Sequence, residues 1–131
     1  MGEIQCSDFQ SAVSHFLLRN HSVLEILSKC QVNSARVNQA VVKAATSCGC
    51  IEINAHKQTL PKDSDLNALR EILSSQVEGD LCNNCREVLT QEIGRNLFYL
   101  TALCNLFDIS LQDVLRTETE KLETLGKYNL M

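Results

Sequence analysis

The chain is expected to fold as an all-α bundle of four to five helices. Three observations lead there. The sequence holds a single proline and five glycines in 131 residues. Its β-branched runs are short, and its apolar residues recur at helical spacing between polar caps. An apolar share of 44% and a charged share of 21% suit an ordinary globular domain. The length suits one domain, residues 1–131, large enough to bury a core.

Ser7 followed by Gln10 reads as a capping box for a first helix carrying Phe9, Val13, Phe16 and Leu17. The register breaks near Asn20-His21, and Ser22 with Glu25 offers a second box. From there Leu24, Leu27, Val37, Val41 and Ala44 keep helical spacing. The polar stretch Gln31 to Ser34 admits one long helix or two that meet. The long helix is favoured, because neither Gly nor Pro interrupts residues 23–47. Gly49 ends it by tolerating the left-handed conformation.

Residues 51–63 form a connection broken by Pro61, with a brief extended piece at Ile51-Glu52-Ile53. Asp63 or Ser64 caps a short helix presenting Leu66, Leu69, Leu73 and Val77, closed by Gly79 and Asp80. Residues 85–107 carry the strongest helical pattern. Val88, Leu89, Ile93, Leu97, Leu100, Ala102, Leu103, Cys104 and Phe107 cover more than one of its faces. A helix apolar on two sides is central to a bundle or shared with a second chain, so a dimeric core is expected, as a homodimer or a dimer of dimers. Ser110 with Asp113 starts a last helix that Gly126 ends, with Leu111, Val114, Leu115, Leu122 and Leu125 as its inner stripe.

A net charge of −4 gives no basic field for a phosphate backbone, so no nucleic-acid partner is expected. No segment reaches the apolar length needed to cross a bilayer. The start Met1-Gly2-Glu3-Ile4-Gln5 lacks the basic and apolar regions of a secretory signal. Seven cysteines without such a signal point to a reducing cytoplasm, where thiols bind metal or react more often than they form disulfides.

Four of those cysteines stand in two pairs, Cys48-Gly49-Cys50 and Cys82-Asn83-Asn84-Cys85. Thiolates from two separated segments can close a tetrahedral zinc site, and four protein sulfurs leave no open position for catalysis. Residues 51–81 lie between the pairs, so the connection and short helix must fold back to bring them together. CxxC is a common half-site. CxC splays its side chains unless Gly49 bends the backbone, and His56 is then a substitute ligand. Two other readings stand beside metal binding: small buried apolar residues, or a thiol–disulfide pair with a lowered thiol pKa at a helix start. Cys6, Cys30 and Cys104 stand alone and are read as core. His15 and His21 have no ligand pattern around them.

The segment from Glu92 through Ile-Gly-Arg-Asn-Leu-Phe-Tyr-Leu-Thr-Ala-Leu-Cys-Asn-Leu-Phe to Asp108 and on to Leu115 resembles the MazG-like, all-α nucleotide pyrophosphohydrolase family. In that family a helix with Glu-x-x-Asp precedes an apolar stretch, a turn and a final helix. An earlier helix bears Glu-Glu-x-x-Glu, and the carboxylates hold magnesium for attack on a nucleoside triphosphate. The resemblance spans residues 86–128 and, more weakly, 35–50, with 51–85 as an insertion. It places Glu92 at the first motif position and Arg95 at the aspartate position, with Asn96 beside it. The earlier motif falls on Thr46, Ser47 and Cys50.

Hydroxyls, a thiol and a cation thus replace carboxylates that magnesium, a hard ion, requires. The resemblance implies a retained scaffold without the standard chemistry: a non-catalytic or strongly divergent module, with zinc at the cysteines and a nucleotide or protein as partner. The alternative is a pyrophosphohydrolase with a displaced site, using magnesium, Glu92, and acids among Glu71, Glu78, Asp80 and Glu87. Glu118, Glu120, Lys121 and Glu123 read as a solvated face. Lys121 and Lys127 would meet phosphate only if a nucleotide pocket persisted. Phe98 and Tyr99 read as core or subunit interface rather than as a base-stacking pair.

Overall fold

The computed structural model describes residues 3–17, 22–59, 62 and 66–125. The order of elements is α1 (Cys6–Phe16), α2 (Val23–Lys43), a π-helical turn (Ala44–Cys48), β1 (Ile51–Ile53), α3 (Leu66–Ile72), β2 (Val77–Gly79), α4 (Asn83–Leu106) and α5 (Leu111–Leu125). Among the described residues helix dominates and strand is confined to one two-stranded antiparallel sheet, in keeping with the all-α expectation. The chain divides into two compact units, Met1–Val37 with Thr90–Met131, and Asn38–Leu89.

In the first unit Val13, Ile26 and Ala102 form the buried core. Phe9, Leu17, Cys30, Phe98 and Leu103 pack against it. Burial pushes the Cys30 thiol pKa up, which fits its reading as a core residue. The first half of α2 therefore turns Ile26, Cys30 and Asn33 inward rather than Leu24 and Leu27, whereas Val37, Val41 and Ala44 of the expected stripe are half-buried or buried. Leu24 is 73% exposed and Ile26 2%. Both sets repeat at helical spacing, and only packing against α1 and α4 chooses between them. Buried Asn33 donates from Nδ2 to the Lys29 carbonyl at 2.7 Å, so the polar stretch stays within one continuous helix.

Gln10 ties α1 to the turn between α4 and α5. Its Nε2 donates to the Ile109 carbonyl at 2.7 Å, and its Oε1 accepts from the Leu111 N–H at 2.8 Å. The Asn105 amide returns a bond to the Gln10 carbonyl at 3.2 Å. Asp108 takes the left-handed conformation in this turn, with φ 54°, as short polar side chains can. The Ser110 hydroxyl then accepts from the Asp113 N–H at 3.3 Å, as its capping role requires.

Three expectations need correction. Helix α1 starts at Cys6 with Gln5 as N-cap and no side-chain cap bond, so Ser7 lies inside the helix. The last helix buries none of its residues, and Val114, Leu115, Leu122 and Leu125 stay exposed. Its apolar stripe is not an inner one within a single chain. Val77 does not extend the short helix. Gln76 turns into the left-handed region at φ 61°, and Val77 enters β2 opposite Ile53. The expected breaks and caps at Asn20, His21, Pro61, Asp63, Ser64 and Gly126 lie outside the described residues, as does Lys127.

In the second unit Ala44 and Ile51 are buried. Strands β1 and β2 pair antiparallel, with Ile51 opposite Gly79 and Ile53 opposite Val77. No described helix is long and apolar enough to cross a membrane.

Candidate metal centre

The π turn sets the first cysteine pair. Thr46 Oγ1 donates to the Val42 carbonyl at 2.8 Å, engaging an acceptor that the α-helical ladder uses, and such back-bonding disturbs the ladder. The helix ends when the Gly49 N–H reaches the Ala44 carbonyl at 2.8 Å, with Gly49 at φ 81°. That left-handed residue supplies the bend CxC needs, and the chain turns through Cys50 straight into β1.

Hairpin register brings the second pair back. Because Ile51 faces Gly79, β2 ends beside Cys50, and Cys82 follows three residues later. At Gly79 φ is 87°, and a Cβ built there would stand 2.7 Å from the Cys50 carbonyl oxygen. Only glycine allows the two backbones so close. Cys85 lies in the first turn of α4, and its N–H donates to Cys82 Sγ at 3.3 Å. The CxxC is thus already folded as a sulfur-facing turn.

The result is a group of four sulfurs, Cys48, Cys50, Cys82 and Cys85, all within 4.8 Å of one another. Cys48 and Cys82 Sγ are 3.8 Å apart across the two segments. Zinc–sulfur bonds of about 2.3 Å imply a tetrahedron edge of about 3.8 Å. Four soft donors at this spacing could hold a metal ion. Cys50 Sγ also approaches the Ala44 carbonyl at 3.9 Å. His56 is outside the group, and its backbone N–H is held instead by Gln76 Oε1 at 2.7 Å.

The thiols share their protons unevenly. Cys82 is drawn down to about 7, first by the Cys85 backbone N–H and then by the Cys85 thiol. Cys85 is pushed up to about 12, first by the Cys82 side chain and then by desolvation. At Cys48 the contact with Cys85 lowers the pKa and that with Cys82 raises it, ending above the usual thiol value. One member ionises early and its charge holds protons on its neighbours. A divalent cation removes that conflict, because it stabilises every thiolate at once.

Glu92 lies in the other unit, among cations. Its Oε2 accepts from Arg36 Nε at 3.1 Å, and its Oε1 lies 3.6 Å from Arg95, with the carboxylate side chain 13% exposed. Sequence spacing offered the Arg95 pair. Arg36 carried no signal, because it is 56 residues distant and only folding brings it near. Phe98 packs on the core and meets Tyr99 edge-on at 5.1 Å. Lys121 pairs with Glu118 at 3.5 Å on an exposed face.

No family model, no curated protein and no solved structure matches this chain.

Proposed function

We propose that the chain is a non-catalytic, MazG-like module whose cysteine site binds zinc for structure or sensing. The carrying observation is the convergence of four sulfurs from CxC and CxxC within 4.8 Å. All-sulfur coordination suits a borderline-soft ion and disfavours magnesium or calcium, which take oxygen. Sulfurs this close enclose one ion rather than a multi-iron cluster. With four protein ligands the site is closed, so it links the end of the π turn to the start of α4 and leaves no position for a reacting water.

The test is elemental analysis of protein purified without added metal, repeated after each Cys→Ser change. Stoichiometric zinc, lost with Cys48, Cys50, Cys82 or Cys85 and kept without Cys6, Cys30 or Cys104, is the expected result. Metal-free protein whose melting ignores all four substitutions would end the proposal.

The pyrophosphohydrolase alternative needs a carboxylate nest for magnesium. Arg36 and Arg95 on Glu92 argue against one there, since they neutralise the charge such an ion requires. Screening nucleoside triphosphates with magnesium or manganese for pyrophosphate release separates the two readings. Release abolished by Glu92→Gln would favour the enzyme.

The module acts as a homodimer or a dimer of dimers, with a nucleotide or protein as its further partner, in the cytoplasm. Support for self-association comes from apolar residues left exposed at Ile93, Leu97 and Leu100 on α4, and at Val114, Leu115, Leu122 and Leu125 on α5. Apolar residues repeated along one helix face in this way suit a surface that a second chain covers. Sedimentation is expected to give a dimer or larger, and a compact monomer at micromolar concentration would overturn this.

A further inference from the structure

We infer that Cys48 is an oxidative modification site: a peroxide oxidises its sulfur, the Cys82 thiolate resolves it as a Cys48–Cys82 disulfide, and the bound ion is set free. This rests on the metal reading above and names the regulation of that same site.

Exposure selects the first residue. Cys48 is the one exposed cysteine of the seven, the others being half-buried. It is the last residue of the π turn, followed by exposed Gly49, so a small oxidant reaches it without opening the fold. Metal ligation keeps a thiol deprotonated at neutral pH, and the thiolate is the form that attacks peroxide.

Geometry favours Cys82 as the second residue, although Cys85 also lies within 4.8 Å. Cys82 Sγ stands 3.8 Å from Cys48 Sγ, so a disulfide requires the sulfurs to close by less than about 2 Å. Cys50, the alternative within the same segment, has its sulfur directed at the Ala44 carbonyl. The cross-segment bond also joins the two segments that flank the paired strands β1 and β2, each cysteine standing three residues beyond the Ile51–Gly79 pair.

The chemistry balances. The Cys48 thiolate attacks one oxygen of hydrogen peroxide, the O–O bond breaks, and hydroxide departs, leaving a sulfenic acid on Cys48. The Cys82 thiolate then attacks the Cys48 sulfur, the S–O bond breaks, and a second hydroxide leaves as the S–S bond forms. Each hydroxide takes a proton to become water, and the two sulfurs together give two electrons to the peroxide. Cys50 and Cys85 remain as the ion's only protein ligands, which is too few to retain it.

The experiment treats the zinc-loaded full chain with hydrogen peroxide. Released zinc is followed with a chromogenic chelator, and disulfides are mapped by non-reducing peptide mass analysis. Stoichiometric zinc release in step with a Cys48–Cys82 cross-link is expected, reversed by dithiothreitol and added zinc. A variant with Ser at Cys6, Cys30 and Cys104 is expected to behave identically. Cys82→Ser, which lacks the resolving thiol and is read by modification rather than by zinc, is expected to leave Cys48 as a sulfenic acid that dimedone traps; a variant in which dimedone labels another cysteine first would overturn the assignment of Cys48. Zinc retained while other residues oxidise would overturn the switch and leave the metal reading standing. A first disulfide within either pair, or from Cys48 to Cys85, would overturn the assignment of Cys82. Protein that takes up no zinc would end the metal reading and ion release with it, and the mapped cross-link would still decide whether Cys48 and Cys82 react together.

Discussion

Gly79 lies against the backbone of Cys50: the Cβ it lacks would stand 2.7 Å from the Cys50 carbonyl oxygen, and its φ is 87°. The four-cysteine cluster thus depends on a residue that is not part of it. Gly79 lets β2 approach the CxC segment closely, and that approach delivers Cys82 to Cys48.

Gly79→Ala is therefore expected to weaken zinc binding, because neither the Cys50 carbonyl nor the strand can move without loosening the pairing of β1 and β2. Strain in a left-handed, crowded position costs about 1–3 kcal/mol. Competition with a chelator of known affinity, alongside thermal melting of the zinc-free protein, measures both effects. Unchanged affinity and melting would remove Gly79 from the account.

Gly94 gives the opposite expectation. It lies inside α4 with nothing within 4 Å of a built Cβ. Alanine there should stabilise the chain by about 0.5–1 kcal/mol through helix propensity. Denaturant unfolding checks it. A loss of stability confined to concentrations where the chain self-associates would show that a second copy packs over this glycine.

Zinc binding should displace more protons as the solution becomes more acidic. In the ion-free protein Cys82 holds its proton below about 7 and has lost it above, whereas Cys85, at about 12, holds its proton throughout the neutral range. Each bound thiol must give up whatever proton it carries. Apparent affinity therefore falls as pH drops, and the number of protons released rises by about one as pH passes downward through the Cys82 value. Calorimetry in buffers of differing ionisation heat reads that number. A count constant from pH 8 to pH 6, on the order of one unit either side of the Cys82 value, would contradict it.

Glu92→Gln is expected to leave zinc content unchanged and to cost little stability, about 0.5–1 kcal/mol, because both arginines that it pairs with are about half exposed and well hydrated. Elemental analysis and chemical denaturation test this together. Loss of zinc in that variant would show that the carboxylate and the cysteine site are coupled.

Much of the helical layout is legible in the residues. The long second helix follows from the absence of breakers between 23 and 47, the stop at Gly49 from glycine's left-handed freedom, and the last helix from the Ser110 cap. Both cysteine half-sites are legible too, since CxC and CxxC spacing is a local property of sulfur chemistry.

What the chain alone did not decide is non-local. Leu24 and Ile26 fit a helical stripe equally well, and only packing on Val13 and Ala102 buries one and exposes the other. Val77 suits a helix as readily as a strand until Ile53 stands opposite to pair with it. Arg36 reaches Glu92 across 56 residues, and Cys48 reaches Cys82 only because Gly79 permits the hairpin to close on Cys50. Local spacing encodes which groups can cap, bend or ligate. Which of them meet depends on the register of distant segments, and packing and backbone pairing set that register once the chain has folded.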